Sequence, residues 1–142
     1  MSKTEQDDPG RECVMLRVRM TARAVTRHYE AHLGAAGLTG AQFSLLASLK
    51  SDPGLTATDL AERLAIDRTT LVRNLEVLER DGLLTSAKDG RARRKTLSKT
   101  GEKALARAMP LWRRAQDELV GQLGAEGWAD TRRNLRALRE AV

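Results

Sequence analysis

The stretch Asp67-Arg68-Thr69-Thr70-Leu71-Val72-Arg73-Asn74-Leu75 carries two kinds of residue on two helical faces. Leu71, Leu75 and Leu78 recur at steps of four and three, the spacing of a buried stripe. Arg68, Thr69, Thr70, Arg73 and Asn74 are left on the other side. A guanidinium can donate two hydrogen bonds to a guanine edge. An asparagine amide can pair with an adenine edge, and a threonine can meet a thymine methyl or a phosphate. The early residues of such a helix reach deepest into a major groove. Arginines on surface helices are ordinary, so this face alone does not decide.

A second basic segment follows. Between Ser86 and Lys103 there are seven basic residues (Lys88, Arg91, Arg93, Arg94, Lys95, Lys99, Lys103) and two acidic ones (Asp89, Glu102), a local balance of +5. Asp89-Gly90 lies between two short stretches with strand tendency, which predicts a hairpin. An arginine on such a loop can enter the narrow minor groove, where negative potential is focused. Asp89 suits an internal task, holding a loop arginine by a charge-assisted bond. Thr56, Arg93 and Arg94 complete the candidate DNA contacts.

The elements that position these residues can be read from periodicity and punctuation. Residues 1–10, polar and acidic, read as a disordered tail. Residues 11–36 read as one helix whose Met15, Val18, Ala22, Val25 and Tyr29 form a near-heptad seam, ended by Gly34 and Gly37. Thr39 with Gln42 predicts a capping box, and Asp52-Pro53-Gly54 a break. Thr56 or Thr58 caps the next helix, and Asp67 the one after it. The connection Ala65-Ile66-Asp67 is so short that those two helices must cross sharply. Asp81-Gly82 stops the second of them. Ser98 can cap a helix running from about Lys99 to Leu123 with a kink at Pro110, and a last helix follows from about Glu126 to Ala141.

Helix, tight turn, helix and basic hairpin make a winged helix-turn-helix over 37–99. The expected fold is mainly α with a small β-hairpin wing, flanked by N- and C-terminal dimerisation helices at 11–36 and 100–142. Composition agrees: 142 residues suffice for about one domain, and aromatics are only 3%, so the core must be Leu, Ala and Val. The net charge of +6 favours a polyanionic partner. One cysteine cannot form an internal disulfide, and no run approaches a membrane span, so a reduced, cytoplasmic, nucleoid-associated protein without membrane contact is expected. With no Ser/His/Asp arrangement, phosphate-cradling glycine loop or metal cluster, neither an enzyme nor a cofactor is expected. A winged domain used only for protein contact would not need the charge imbalance at the hairpin.

Leu38-Thr39 with Gln42-Phe43 and Leu46-Leu49, Thr58-Asp59-Leu60-Ala61, Asp67-Arg68-Thr69-Thr70, Leu78-Glu79-Arg80-Asp81-Gly82-Leu83, Asp89-Gly90-Arg91 and Leu97-Ser98 with Gly101 resemble the MarR family of bacterial transcriptional regulators. Ser98 stands where that family usually has threonine. The resemblance implies a homodimer paired through both chain ends, a helix from Arg68 reading the major groove, and Arg91 probing the minor groove, steadied by Asp89. It implies a sequence-specific regulator on a palindromic operator, in the first instance a ligand-responsive repressor. Independently, Leu105, Met109, Leu111, Trp112, Leu119, Val120, Leu123, Trp128, Leu135, Leu138 and Val142 form apolar stripes that one small winged domain could not cover.

Three features could carry a signal. Cys13, near Arg11 and Arg17, resembles the sensing thiol of peroxide-responsive members of that family, which makes a redox-sensing repressor the alternative. Those members have two assisting tyrosines, whereas Tyr29 is the one tyrosine here. His28 and His32 have a legal metal spacing, but no second cluster supplies further ligands, so no metal is expected. Lastly, His28, Tyr29, His32, Phe43, Leu46 and Trp112, with the first helix's arginines, could line a pocket for a small aromatic anion.

Overall fold

The computed structural model describes residues 8–89 and 92–142. Among the described residues, eight elements follow in order: α1 (Pro9–Glu12), α2 (Val14–Leu33), α3 (Gly40–Ser51), α4 (Ala57–Leu64), α5 (Arg68–Arg80), β1 (Leu84–Asp89), β2 (Ala92–Leu97) and α6 (Lys99–Glu140). A 3₁₀ turn, Gly34–Ala36, closes α2, and Gly37 leaves it with φ 72°. The two strands pair antiparallel from Leu84↔Leu97 to Asp89↔Ala92. This is the expected mainly helical fold with a hairpin wing.

Local chemistry explains where the helices start. Thr39 accepts from the Gln42 amide while the Gln42 side chain accepts from the Thr39 amide, which closes a capping box. Thr56 and Asp59 close a second one. Ser98 Oγ accepts from Gly101 N at 3.0 Å.

Two boundaries differ from expectation. Asp8 caps the short α1, so residues 8–10 are not tail, and Cys13 (ψ 117°) separates α1 from α2 rather than lying within one helix. Pro110 sits inside α6 with helical backbone angles, and Gly124 (φ 75°, ψ 165°) is the residue that departs from them. Pro110 and Ala106 both face solvent, where water can take the carbonyl that loses its amide. Gly124 adopts a conformation that is essentially glycine-only.

The core is leucine-rich. Leu33, Leu38, Leu45, Leu46, Leu49, Leu60, Leu71, Leu75, Leu78, Leu84 and Leu105 gather with Phe43 and Ala108 in one cluster drawn from every long helix and the wing. Leu105 is thus a core residue of its own chain, and Met109, Leu111 and Trp112 pack against the same cluster. They are not the partner-seeking stripe that the sequence suggested. Among the apolar residues left bare are Met15, Val18 and Met20 on α2, Leu123 and Leu135 on α6, and Val72 on α5. Among the described residues no helix is long and apolar enough to cross a membrane.

The wing enters α6 through a close approach. A Cβ on Gly101 would fall 2.0 Å from the Leu83 carbonyl oxygen, which itself accepts from Ser98 N at 3.1 Å. Backbone on both sides of that contact must move to admit a methyl group, and such overpacking costs about 1–3 kcal/mol or more. Gly101→Ala is therefore expected to lower unfolding stability by at least that range in urea titration, with Gly121→Ala, where a Cβ meets nothing within 4 Å, as the control that should not destabilise, since alanine has the better helix propensity.

Candidate nucleic-acid interface

Three short-range devices aim α5. Its Leu71, Leu75 and Leu78 are buried at 0%, 4% and 0% exposure. Ala65 ends α4 in the left-handed region (φ 52°, ψ 44°), with Ile66 N donating to Ala61 O at 3.0 Å. Asp67 then starts α5: its carboxylate accepts from Thr70 N at 2.9 Å and from Thr70 Oγ1 at 2.6 Å. With the leucine side committed inward, Arg68, Thr69, Thr70 and Arg73 stand exposed on the other side. Asn74 is half-buried at the border of that face. Thr56, exposed at the start of α4, spends its hydroxyl as a helix cap.

The wing is strapped to this unit by its own cations. Arg94 Nη1 donates to Gly54 O at 2.9 Å, tying β2 to the turn between α3 and α4. Lys95 Nζ donates to Glu79 on α5 and, at 2.6 Å, to Ser86 Oγ on β1. Ser86 Oγ in turn donates to Glu79 at 2.8 Å. Lys95, counted among the hairpin's free positive charges in the sequence, is thus satisfied internally, and Arg94 has a structural anchor. The expected Asp89–Arg91 pairing and the side chains of Arg91 and Arg93 lie outside the described residues.

A cleft of about 550 Å³ opens behind α5. Val25, Tyr29 and Glu30 of α2, Phe43 of α3, and Trp112 of α6 form its walls, and Thr70 and Asn74 of α5 close one side. Phe43 and Trp112 stack with ring centroids 6.1 Å apart and planes at 19°. Tyr29 donates its hydroxyl proton to Gln116 of α6, and burial pushes its pKa upward. Tyr29, Phe43 and Trp112 are where the sequence placed them.

Leu46 is not on this wall: it is fully buried in the core. His28 and His32 also turn away, toward Ala115 and Glu118 of α6. The arginines of α2 do not line the cleft, and its charged wall residue is Glu30, which accepts from Gly40 N at 3.3 Å. Cys13 is half-buried at the start of α2 and makes no capping bond.

A model of the MarR family matches residues 36–95. The HosA transcriptional regulator of Escherichia coli O127:H6 is 33% identical over 92 residues, covering 63% of this chain and 68% of HosA. An uncharacterised HTH-type transcriptional regulator of Bacillus cereus is 34% identical over 73 residues, and there the match covers 51% of this chain and about half (50%) of the relative. The transcriptional regulator MosR of Mycobacterium tuberculosis superposes with a TM-score of 0.82 at 39% identity, over 92% of this chain and 95% of MosR, and has also been solved in complex with DNA. The chain belongs to the MarR family of winged-helix transcriptional regulators. The segment that the family model matches spans the helix-turn-helix and most of the wing.

The carboxylates that hold the helix starts give the interface an acid-sensitive element. Asp67 is held below its usual pKa by the Thr70 hydroxyl and amide, and Asp59 by the Thr56 amide and hydroxyl. A carboxyl whose pKa is lower in the folded chain adds stability above the unfolded value and loses it as pH falls through the folded one. Stability should thus decline on acidification through and below the ordinary carboxylate range. Asp67→Asn is expected to be less stable at neutral pH yet flatter in that acid window, as read by thermal melts from pH 7 to about pH 2.

Proposed function

We propose that the chain is a homodimeric repressor that binds a palindromic DNA operator and is released by a small ligand. The observation that carries this reading is the two-sidedness of α5: three buried leucines behind, and Arg68, Thr69 and Arg73 exposed in front. Arg68 and Arg73 serve as base-edge readers and Thr69 as a base or phosphate contact. Arg91, Arg93 and the neighbouring wing backbone take the minor groove and phosphates. The DNA-bound form of MosR supports the same use of the fold.

Dimerisation rests on the bare apolar residues at the two chain ends. Met15 at 65% exposure on α2 and Leu135 at 43% on α6 are among side chains that a partner's equivalents would cover. A two-fold pair would set two copies of α5 about 34 Å apart, one turn of DNA.

The cleft couples a ligand to DNA because Thr70 and Asn74 belong both to its wall and to the reading helix. A flat molecule between Tyr29, Phe43 and Trp112 would shift α5 relative to α2. The wall's charged side chain is the acidic Glu30, so an aromatic compound that donates a hydrogen bond suits it better than an aromatic carboxylate.

The test is gel-shift titration with the DNA upstream of the chain's own gene. Arg73→Ala and Arg68→Ala should each weaken binding by about 1–3 kcal/mol and relax base preference, while Arg91→Ala should weaken it across sequences. Neutral aromatic compounds added to the wild-type complex should free the DNA. Unaltered affinity in all three variants would place the DNA surface elsewhere.

A further inference from the structure

The packing of α2 on α6 assembles three donor groups that neither the DNA face nor the cleft uses. His28 and His32 lie one turn apart on α2, with ring centroids 4.9 Å apart. From α6, Glu118 Oε2 comes to 3.1 Å from His32 Nε2 and 3.6 Å from His28 Nε2. One donor atom from each residue lies within 4.8 Å of the other two. A tetrahedral zinc ion with bonds of about 2.0–2.1 Å holds its ligands about 3.3–3.4 Å apart. The two imidazole–carboxylate separations bracket that value, and the imidazole pair, within 4.8 Å, closes on a shared ion by side-chain rotation.

The hydrogen bonding around the rings prepares them for a cation. His32 Nδ1 lies 2.9 Å from the His28 carbonyl oxygen, so the Nδ1 proton is donated to backbone. That bond leaves Nε2 as the atom that faces the Glu118 carboxylate, and a backbone carbonyl on the far nitrogen is the usual support of a ligating histidine. Two acceptor atoms face one another at 3.1 Å only with a positive charge between them, a proton or a metal ion. His28 Nε2 lies 2.9 Å from the Ala115 carbonyl and would exchange that contact for the metal. Glu118 is half exposed, which leaves a path in from solvent. Arg114 lies near enough to oppose a positive charge at His32, a moderating influence on affinity.

We propose that His28, His32 and Glu118 form a binding site for a divalent transition-metal ion, zinc fitting best, with water in the fourth position. Two imidazoles and one carboxylate are a borderline donor set that suits zinc, whereas calcium and magnesium require six or more oxygens. The ion would join α2 to α6, elements far apart in the chain, at the root of the helices that reach toward the chain ends.

Calorimetric titration of zinc into the chelator-treated full chain tests this. The expected result is one zinc per chain, a raised melting temperature that a chelator reverses, and a cobalt derivative with tetrahedral d–d absorption and no thiolate charge-transfer band. His32→Gln and Glu118→Gln should each lower affinity by more than the about 10–100-fold that loss of a supporting contact costs, and Cys13→Ser should leave it unchanged. Glu118 is exposed enough that its amide variant keeps the fold, which circular dichroism verifies. Absence of zinc uptake, affinity unchanged from wild type in either ligand variant, or uptake lost with Cys13→Ser would each overturn the proposal.

Discussion

Burial of Leu71, Leu75 and Leu78 against the leucines of α3 and α4 is the constraint from which the rest of the interface follows. Each buried leucine stabilises by about 1.5–3 kcal/mol. Holding Ala65 in the left-handed region costs about 1–2 kcal/mol. Packing therefore outweighs the strain of the tight connection, and α5 can take one rotation only. A helix so fixed has no choice about which residues it shows, and Arg68, Thr69 and Arg73 are what remains outside. Asp67 adds definition at the first turn, because its carboxylate ties up both the amide and the hydroxyl of Thr70.

The wing depends on the same helix. Glu79 lies on the last turns of α5 and receives Lys95, so the hairpin is referenced to α5 rather than merely tethered to it. Arg94 reaches the opposite way, to Gly54. Two of the hairpin's cations thus spend their hydrogen bonds on geometry. Glu79 offsets the charge of Lys95, whereas the Arg94 bond is to a neutral carbonyl. Behind the helix, Thr70 and Asn74 line the cleft, so the helix that shows Arg68 and Arg73 to solvent also forms one wall of the cleft.

What could be read from the sequence was local. Thr39 with Gln42, Asp67 and Ser98 announce helix starts through partners three residues away, and each cap is where the pattern put it. Leucine spacing at three and four marks the buried side of α5 because a helix repeats every 3.6 residues. The failures are contacts between segments far apart in the chain. Lys95–Glu79 and Arg94–Gly54 look like free wing charges until the hairpin folds back. Glu118 cannot be foreseen as the neighbour of His28 and His32, since only the packing of α2 on α6 brings it there. Leu46 shows the same limit: an apolar residue on α3 reads equally well as cavity wall or core, and neighbours decide. Pro110 was the conspicuous breaker in α6, yet Gly124 bends the backbone, because an exposed proline can leave a carbonyl to water.

The most direct measurement is the binding constant for the chain's own upstream DNA as a function of salt, with stoichiometry taken from sedimentation of the same complex. Contact with six to ten phosphates should give a loss of about 10³–10⁵ in affinity between 50 and 200 mM salt, with two chains on each operator duplex. A binding constant indifferent to salt, or a single chain on the duplex at saturation, would contradict a paired scaffold that presents α5 and the wing to DNA.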